Sequence, residues 1–299
     1  MVHSNGLAKT TYRTILQASA QVFGVPFTKQ WDARLRFGRK LDLKHPTTLA
    51  DKVSWIELHT DQTLESKLTD KYAVRAYIAE QGLEDILVPQ VGGPWTNANQ
   101  IDFDSLPCSF VIKATHGCGM NLIVEDKKQL DIPATRKLLN RWLHEDYPRA
   151  CLETHYQSIP HRLYAEGKLN EAGSSSLTDY KIHCINGEPA FILRCADRTD
   201  HGVRLDLFDV NWNSLSSHLR HTHIFSDTPP CPPQLEQMLK ISAQLAKRFP
   251  MVRVDLYEVN NHIYFSELTF TPAAGIFDHF DDSFIREWGS KLILPSATK

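Results

Sequence analysis

The chain has no uninterrupted apolar run of about 20 residues, so no transmembrane helix is expected. Its opening residues, MVHSNGLAKTTYR, lack the apolar centre of a secretory signal. Cysteine is sparse: Cys108, Cys118, Cys151, Cys184, Cys195 and Cys231 share no short paired spacing, which argues against a zinc ribbon and gives no disulfide framework. A reducing, cytoplasmic setting is the expectation. An excess of either charge is also missing, with 33 Lys and Arg against 35 Asp and Glu, so broad nucleic-acid binding is not expected. There is no GxSxG nucleophile elbow and no GK[ST] run opening a helix. His218, His221 and His223 form a small cluster before SDTPPCPP, which reads as a polar loop in preference to a metal site.

What is present is a globular composition: 299 residues, 42% of them hydrophobic, enough for one large domain or a few subdomains. From about residue 8 to 82 the pattern is predominantly helical, with TTYRTILQASAQVFG ending at a glycine and TLADKVSWIELHT following a Pro-Thr-Thr cap signal. ESKLTDKYAVRAYIAEQG predicts one further helix, again closed by glycine. VPQVGGPW turns extended. From Phe110 onward strands alternate with single helices: SFVIKATHG and MNLIVED, then the helix ATRKLLNRWLHEDY, then HRLYAEGKL. TDYKIHCINGEPAFILRCADR predicts a hairpin turning at Asn186-Gly187; VRLDLFDVNWN adds a strand and PPQLEQMLKISAQLAKRF an amphipathic helix. Hairpins interleaved with single helices indicate α+β with largely antiparallel sheets. No internal repeat is evident.

The most informative stretch is MVRVDLYEVNNHIYFSELTFTPAAG, residues 251–275. A strand period of two puts Arg253 and Asp255 on one face and Val252 and Val254 on the other. Asn260 and Asn261 suit a hairpin turn, and the returning strand presents Glu267 and Thr269 on one face. Two carboxylates on paired strands can share Mg2+, a hard cation that prefers oxygen ligands, and Arg253 can neutralise a phosphate beside it. The same charges could equally form a solvated ribbon face. In FVIKATHGCGMNLIV a strand delivers Lys113 to a loop carrying Gly117 and Gly119, suited to folding over phosphates. His116, Cys118 and Asn121 are either lining residues or turn formers. Glu166 in LYAEGKL is placed to mark an adenine hinge, continued by Gly167, Lys168 and Leu169, while Lys181 lies on the next strand.

The order of these motifs resembles the ATP-grasp superfamily, and their wording resembles its TupA-like branch, associated with teichuronopeptide and surface-polysaccharide biosynthesis. The resemblance covers most of the chain: HPTTLADKVSWIELHT, LTDKYAVRAYIAEQG, LPCSFVIKATHGCGMNLIV, IPHRLYAEGKL, DYKIHCINGEPAFI and YFSELTFTPAAG. It implies that Lys71 and Lys113 contact ATP phosphates, that Glu166 marks the adenine position, that Lys181 adds a phosphate contact and that Arg253 lies beside the γ-phosphate. Asp255 and Glu267 would be Mg2+ ligands; Thr269 stands where many ATP-grasp enzymes carry Asn. The implied units are a mainly helical region 1–107, a lysine and glycine-loop subdomain 108–170 and a metal-binding subdomain 171–299.

The resemblance further implies an ATP- and Mg2+-dependent carboxylate–amine ligase that proceeds through an acyl phosphate. Its partners would be ATP, a carboxylate acceptor of uronic acid type and an amino acid as amine donor. Arg194 and Arg198 in ILRCADR are expected either to grip the acceptor or to form structural ion pairs. Two alternatives stay open: a glycosyltransferase, for which the acidic run DHFDD is the nearest metal motif, and a non-catalytic ATP-binding assembly protein.

Overall fold

A computed structural model describes residues 6–145, 147, 152–170, 176–199, 202–220 and 227–298. Five helices come first: α1 Gly6–Phe23, α2 Val25–Phe37, α3 Leu49–His59, α4 Thr63–Thr69 and α5 Val74–Glu80. Then follow β1 Gln90–Trp95, β2 Phe110–Ala114, β3 Asn121–Val124, α6 Ile132–Leu143 and β4 Leu163–Gly167. The remainder is β5 Asp179–Ile185, β6 Glu188–Thr199, β7 Gly202–Asp209, α7 Leu235–Ala246, β8 Met251–Val259, β9 His262–Thr269 and α8 Asp282–Lys291.

Two antiparallel sheets result, in the orders β1-β4-β2-β3 and β7-β6-β5-β8-β9. Both sharp hairpins turn on pairs of left-handed residues, Asn186 (φ 52°) with Gly187 (φ 87°) and Asn260 (φ 52°) with Asn261 (φ 61°). β1 falls within VPQVGGPW, the stretch expected to turn extended, and it adds to the first sheet beside β4.

The expected single helix over ESKLTDKYAVRAYIAEQG is broken into α4 and α5. Asp70 is the cause: its carboxylate accepts the backbone N–H groups of Tyr72 and Ala73 at 2.8 and 3.0 Å and pairs with Arg162 at 2.6 Å. A side chain that captures local N–H groups competes with the helix ladder. Lys71 is thereby turned out of the helix.

Alternation along the five-stranded sheet separates two faces. One carries Ile182, Ile192, Phe208, Val252, Val254, Leu256 and Leu268 into a core shared with α7 and with Val74, Tyr77 and Ile78 of α5. The other packs Phe191, Leu193, Leu207 and Met251 against α3, α8, Phe277 and Phe280. Beyond that packing, the same face carries Asp179, Lys181, Arg253, Asp255 and Glu267. On the four-stranded sheet, Phe110, Ile112, Ala114, Leu163 and Ala165 pack with Leu139 and Trp142 of α6, which leaves Val111, Lys113 and Glu166 on the opposite face.

Phe191 is fully buried, with ring centroids 4.3 Å from His183 and 4.9 Å from Phe284. Phe191→Ala is expected to cost about 3–5 kcal/mol, checked by urea unfolding, because the aromatic cluster cannot collapse around the cavity.

Candidate active site

The polar end of the five-stranded sheet is built in register. Lys181 lies opposite Asp255, Asp255 opposite Glu267, and Arg253 opposite Thr269. Arg253 grips Asp255 with two nitrogens, Nε to Oδ1 at 2.6 Å and Nη2 to Oδ2 at 2.7 Å, and also donates to Glu267 Oε1 at 3.2 Å and Thr269 Oγ1 at 3.0 Å. Lys181 Nζ bridges Asp255 at 2.5 Å and Asp179 at 2.6 Å. The Asp179 Oδ1 atom is buried without a hydrogen-bond partner among the described residues. Its position two residues before Lys181 on one strand face was legible, yet the pattern reading passed over it.

Lys71, delivered by the helix break, closes the cluster. Its Nζ donates to the Gly117 carbonyl at 2.8 Å and lies 3.5 Å from Glu267 Oε2. One lysine thus joins the N-terminal region, the glycine loop and the carboxylate pair. The loop is tight: a Cβ on Gly117 would fall 3.0 Å from the Tyr147 ring, and Gly119 takes φ 75° with open space beside it. His116 does not line the loop's outer surface. It is fully buried, bonds the Trp142 carbonyl through Nε2 at 3.0 Å and stacks on His161 at 3.7 Å. Burial, with His161 and Lys71 nearby, holds it neutral with a pKa of about 4. It is a packing residue.

On the four-stranded sheet, Glu166 accepts from Lys113 at 2.5 Å, Arg75 at 3.1 Å and the Tyr164 hydroxyl at 3.0 Å. Its carboxylate therefore orients Lys113. Arg75, one helical turn past Lys71, was not anticipated. A cleft of about 220 Å³ opens here between the sheets, with Val88, Val111, Ile123, Leu177 and Tyr257 as apolar wall and the 166–169 segment as polar edge. Lys113 and Asn121 stand at its floor, and Lys168 is tied to Glu125 at 3.0 Å.

A second cavity, about 340 Å³, is lined by Arg253 and Glu267. Thr269, Thr271, Ala273 and Ala274 form one wall; Tyr12 and Leu16 of α1 and Asp32 and Arg36 of α2 form another. Ala273 and Ala274 sit at φ 52° and 58°, a left-handed conformation that costs about 1 kcal/mol or more per non-glycine residue and persists only where its surroundings hold it. A buried ion pair, Lys29 with Glu57, each 1% exposed, stands behind this turn. Lys29 Nζ reaches the Ala274 carbonyl at 3.5 Å, and Glu57 Oε1 accepts the Thr154 N–H at 2.7 Å.

Other expected residues fall elsewhere. Arg194 lies in register with Tyr180 on the opposite sheet face and pairs with Asp206 at 2.8 Å, so it is a structural ion pair. Arg198 is exposed near the end of β6, past the left-handed Asp197, and its backbone N–H donates at 3.1 Å to the hydroxyl of Ser176, a residue that lines the first cleft. In DHFDD, Asp278 holds Arg36 at 2.6 Å, Asp281 caps α8 through the Phe284 N–H at 2.8 Å, and Asp282 holds Arg220 at 2.5 Å. Those carboxylates are committed to structure, which removes the glycosyltransferase metal motif. His218 pairs with Asp281 at 2.9 Å; His221, His223, Cys151 and most of the serine-rich loop lie outside the described residues.

Residues 51–293 match the protein-family profile described as TupA-like ATPgrasp. The chain belongs to the TupA-like ATP-grasp family. Its two antiparallel sheets facing across a charged cleft are the ATP-grasp fold. Similar solved structures include D-alanine–D-alanine ligase from Bacillus anthracis complexed with ATP, at 13% identity and TM-score 0.48, covering 78% of this chain and 66% of that one. The Helicobacter pylori D-alanine–D-alanine ligase aligns at 12% identity and TM-score 0.44, covering 83% of this chain and 67% of that one. N5-carboxyaminoimidazole synthetase from Staphylococcus aureus aligns at 12% identity and TM-score 0.43, covering 73% of this chain and 50% of that one. The chain spans between half and about two thirds of the length of these proteins. No curated protein matches it in sequence.

The donor set of this ATP-grasp chain fits a magnesium nucleotide. Among the described residues no group of three or more His, Cys, Asp or Glu side chains could hold a metal ion; Asp255 and Glu267, both accepting from Arg253, are the two hard carboxylates that would meet one carried in by a nucleotide. Burial raises the Glu267 carboxyl, but the charges of Lys71, Arg253 and Lys181 and the Thr269 hydroxyl overcome it and hold the pKa at about 2. Burial works against the charged forms of Lys181 and Arg253 as well. The Asp255 charge outweighs it and raises both.

Folding lowers the Glu267 pKa from about 4.5 to about 2, so its stabilisation is complete above about pH 4.5 and is lost as pH falls toward 2. The wild type should therefore lose urea stability more steeply on acidification through that window than Glu267→Gln. Lys29→Met, which strands a buried carboxylate, should cost about 3–5 kcal/mol in the same assay. Adding Glu57→Gln should restore part of it, since the amide oxygen still accepts the Thr154 N–H.

Proposed function

We propose that this chain is an ATP- and Mg2+-dependent carboxylate–amine ligase. The observation that carries this reading is the Arg253, Asp255 and Glu267 cluster, of which Arg253 and Glu267 line a cavity shared with the N-terminal helices, on the same molecule as a partly apolar cleft holding Lys113 and Glu166. The cleft, with its apolar wall beside Lys113, suits a purine nucleotide, and the cavity, beside Arg253 and Glu267, suits the acid and amine substrates. The cations Lys71, Arg75, Lys113, Lys181 and Arg253 outnumber the carboxylates Asp179, Glu166, Asp255 and Glu267 by one, which favours an anionic nucleotide.

In the proposed reaction a substrate carboxylate oxygen attacks the γ-phosphorus, the bond to the β,γ-bridging oxygen breaks, and ADP leaves with that electron pair. The amine nitrogen then attacks the acyl carbon, inorganic phosphate departs, and the nitrogen loses a proton to give the amide. Lys71 and Lys113 would hold the nucleotide phosphates, with Glu166 fixing the direction of Lys113. Arg253 would stabilise charge on the transferring phosphoryl group and, with Lys181, keep the carboxylates aligned. Mg2+ bound by Asp255 and Glu267 would supply neutralisation of phosphate charge. No covalent protein nucleophile is needed. We further assign the acid as a uronic acid of a cell-surface polymer and the amine as an amino acid, and the setting as cytoplasmic; this finer assignment is supported by the motif wording alone.

The test is ADP release from Mg-ATP with uronic acids and amino acids, singly and in pairs. ADP formation should require both and fall by about 100-fold or more in Glu267→Ala. ADP release that is indifferent to the acid, or unchanged in the variant, would overturn the reading. Lys113→Met should weaken ATP binding by about tenfold in calorimetry, since it removes one charge-assisted contact.

A further inference from the structure

The α1–α2 hairpin exposes apolar surface that no other part of the described chain matches. Ile15, Val22, Phe23, Phe27 and Leu35 are between 47% and 72% exposed; the other large exposed hydrophobics, Ile123, Ile132, Val203 and Ile293, are scattered singly. Phe23 and Phe27 lie 5.1 Å apart across the turn at Gly24, where α1 ends and α2 begins, so the hairpin tip is aromatic. Isolated exposed apolar residues need no explanation, but several gathered on one short hairpin mark a surface that is covered in use.

The same segment is strongly basic. Residues 6–44 carry Lys9, Arg13, Lys29, Arg34, Arg36, Arg39, Lys40 and Lys44 against Asp32 and Asp42, an excess of six positive charges in a chain of net charge −2. The rest of the chain is accordingly net −8. Lys29, Arg36 and Arg39 are used internally, with Glu57, Asp278 and Asp51. Arg34, Lys40 and Lys44 are exposed.

We propose that the α1–α2 hairpin docks this protein on an anionic membrane surface, with Phe23, Phe27 and Val22 entering the headgroup region and the basic residues facing lipid phosphates. Apolar insertion and a polybasic segment are each weak alone, and stable peripheral binding takes two such signals together. The charge segregation favours a lipid layer of uniform negative charge, because the acidic remainder of the molecule is repelled from the surface that attracts the hairpin and the docked orientation is therefore defined. Tyr12, Leu16, Asp32 and Arg36, farther along the same two helices, line the second cavity, so docking by the tip would fix the orientation of that cavity relative to the membrane. The inference stands apart from the ligase reading, since it concerns residues outside the nucleotide cluster.

The experiment is co-sedimentation of the whole chain with phosphatidylcholine vesicles, with and without about one third phosphatidylglycerol, at about 0.1 M and about 0.5 M salt. Binding should require the anionic lipid, weaken several-fold at the higher salt, and drop by about tenfold or more in Phe23→Ser/Phe27→Ser, whose thermal stability and ATP binding should match the wild type. Arg34→Glu/Lys40→Glu should reduce it as well, without touching the aromatic tip. A protein that stays in the supernatant with anionic vesicles at the lower salt would overturn the proposal, as would binding unaffected by either pair of substitutions. Light scattering on the same samples supplies the remaining decision: a concentration-dependent dimer that the serine pair abolishes, in place of vesicle binding, would assign the surface to a second copy of this chain.

Discussion

The paired grip of Arg253 on Asp255 is the contact on which the rest of the site depends. A carboxylate that is 1% exposed is costly to bury without a partner of fitted geometry, and a guanidinium fork is the side chain that supplies two parallel donors. With that pair in place, Lys181 and Lys71 can approach from β5 and from the helix break, and Glu267 is held ionised by their combined field. The cluster is compensated without a nucleotide. In the proposed reading, binding Mg-ATP would be an exchange of partners within a set of preplaced charges, which keeps reorganisation small.

The N-terminal helices are part of this site, beyond capping the fold. Asp70 interrupts a helix and so presents Lys71; had the helix run on, that lysine would have continued along its face. Lys29 and Glu57, from α2 and α3, lie behind the left-handed Ala273–Ala274 turn at the wall of the second cavity. A strained turn and a buried ion pair are each costly in isolation. Together they hold one loop in one conformation.

Much of this was legible in the residues themselves. The period of two in Arg253-x-Asp255 and Glu267-x-Thr269, and the two hairpin turns, translate directly into backbone geometry because strand alternation and left-handed Asn or Gly positions are local rules. Other residues misled for an equally physical reason. Arg194 differs in sequence pattern from Lys181 in nothing but register, and one residue of register decides which face of a sheet a side chain occupies. His116 sits in a glycine loop whose tip is exposed, yet its ring turns inward to stack on His161. Arg75 and Asp179 were overlooked although a helical turn and a strand period linked them to Lys71 and Lys181.

The sequence by itself determined the strands and helices between Phe110 and Thr269, the antiparallel pairing of the closing hairpin and the family to which the chain belongs, because each is written in short-range pattern, whereas the last helix, α8, was not anticipated. Tertiary structure alone decided which charges face one another. Lys71, Gly117 and Glu267 are far apart along the chain, and their meeting depends on two sheets closing around a broken helix. The pairing of Glu166 with Lys113, the burial of His116 and the second cavity beside Arg253 likewise arise only where separate elements pack, since burial and charge compensation are properties of neighbours in space and not of neighbours in sequence.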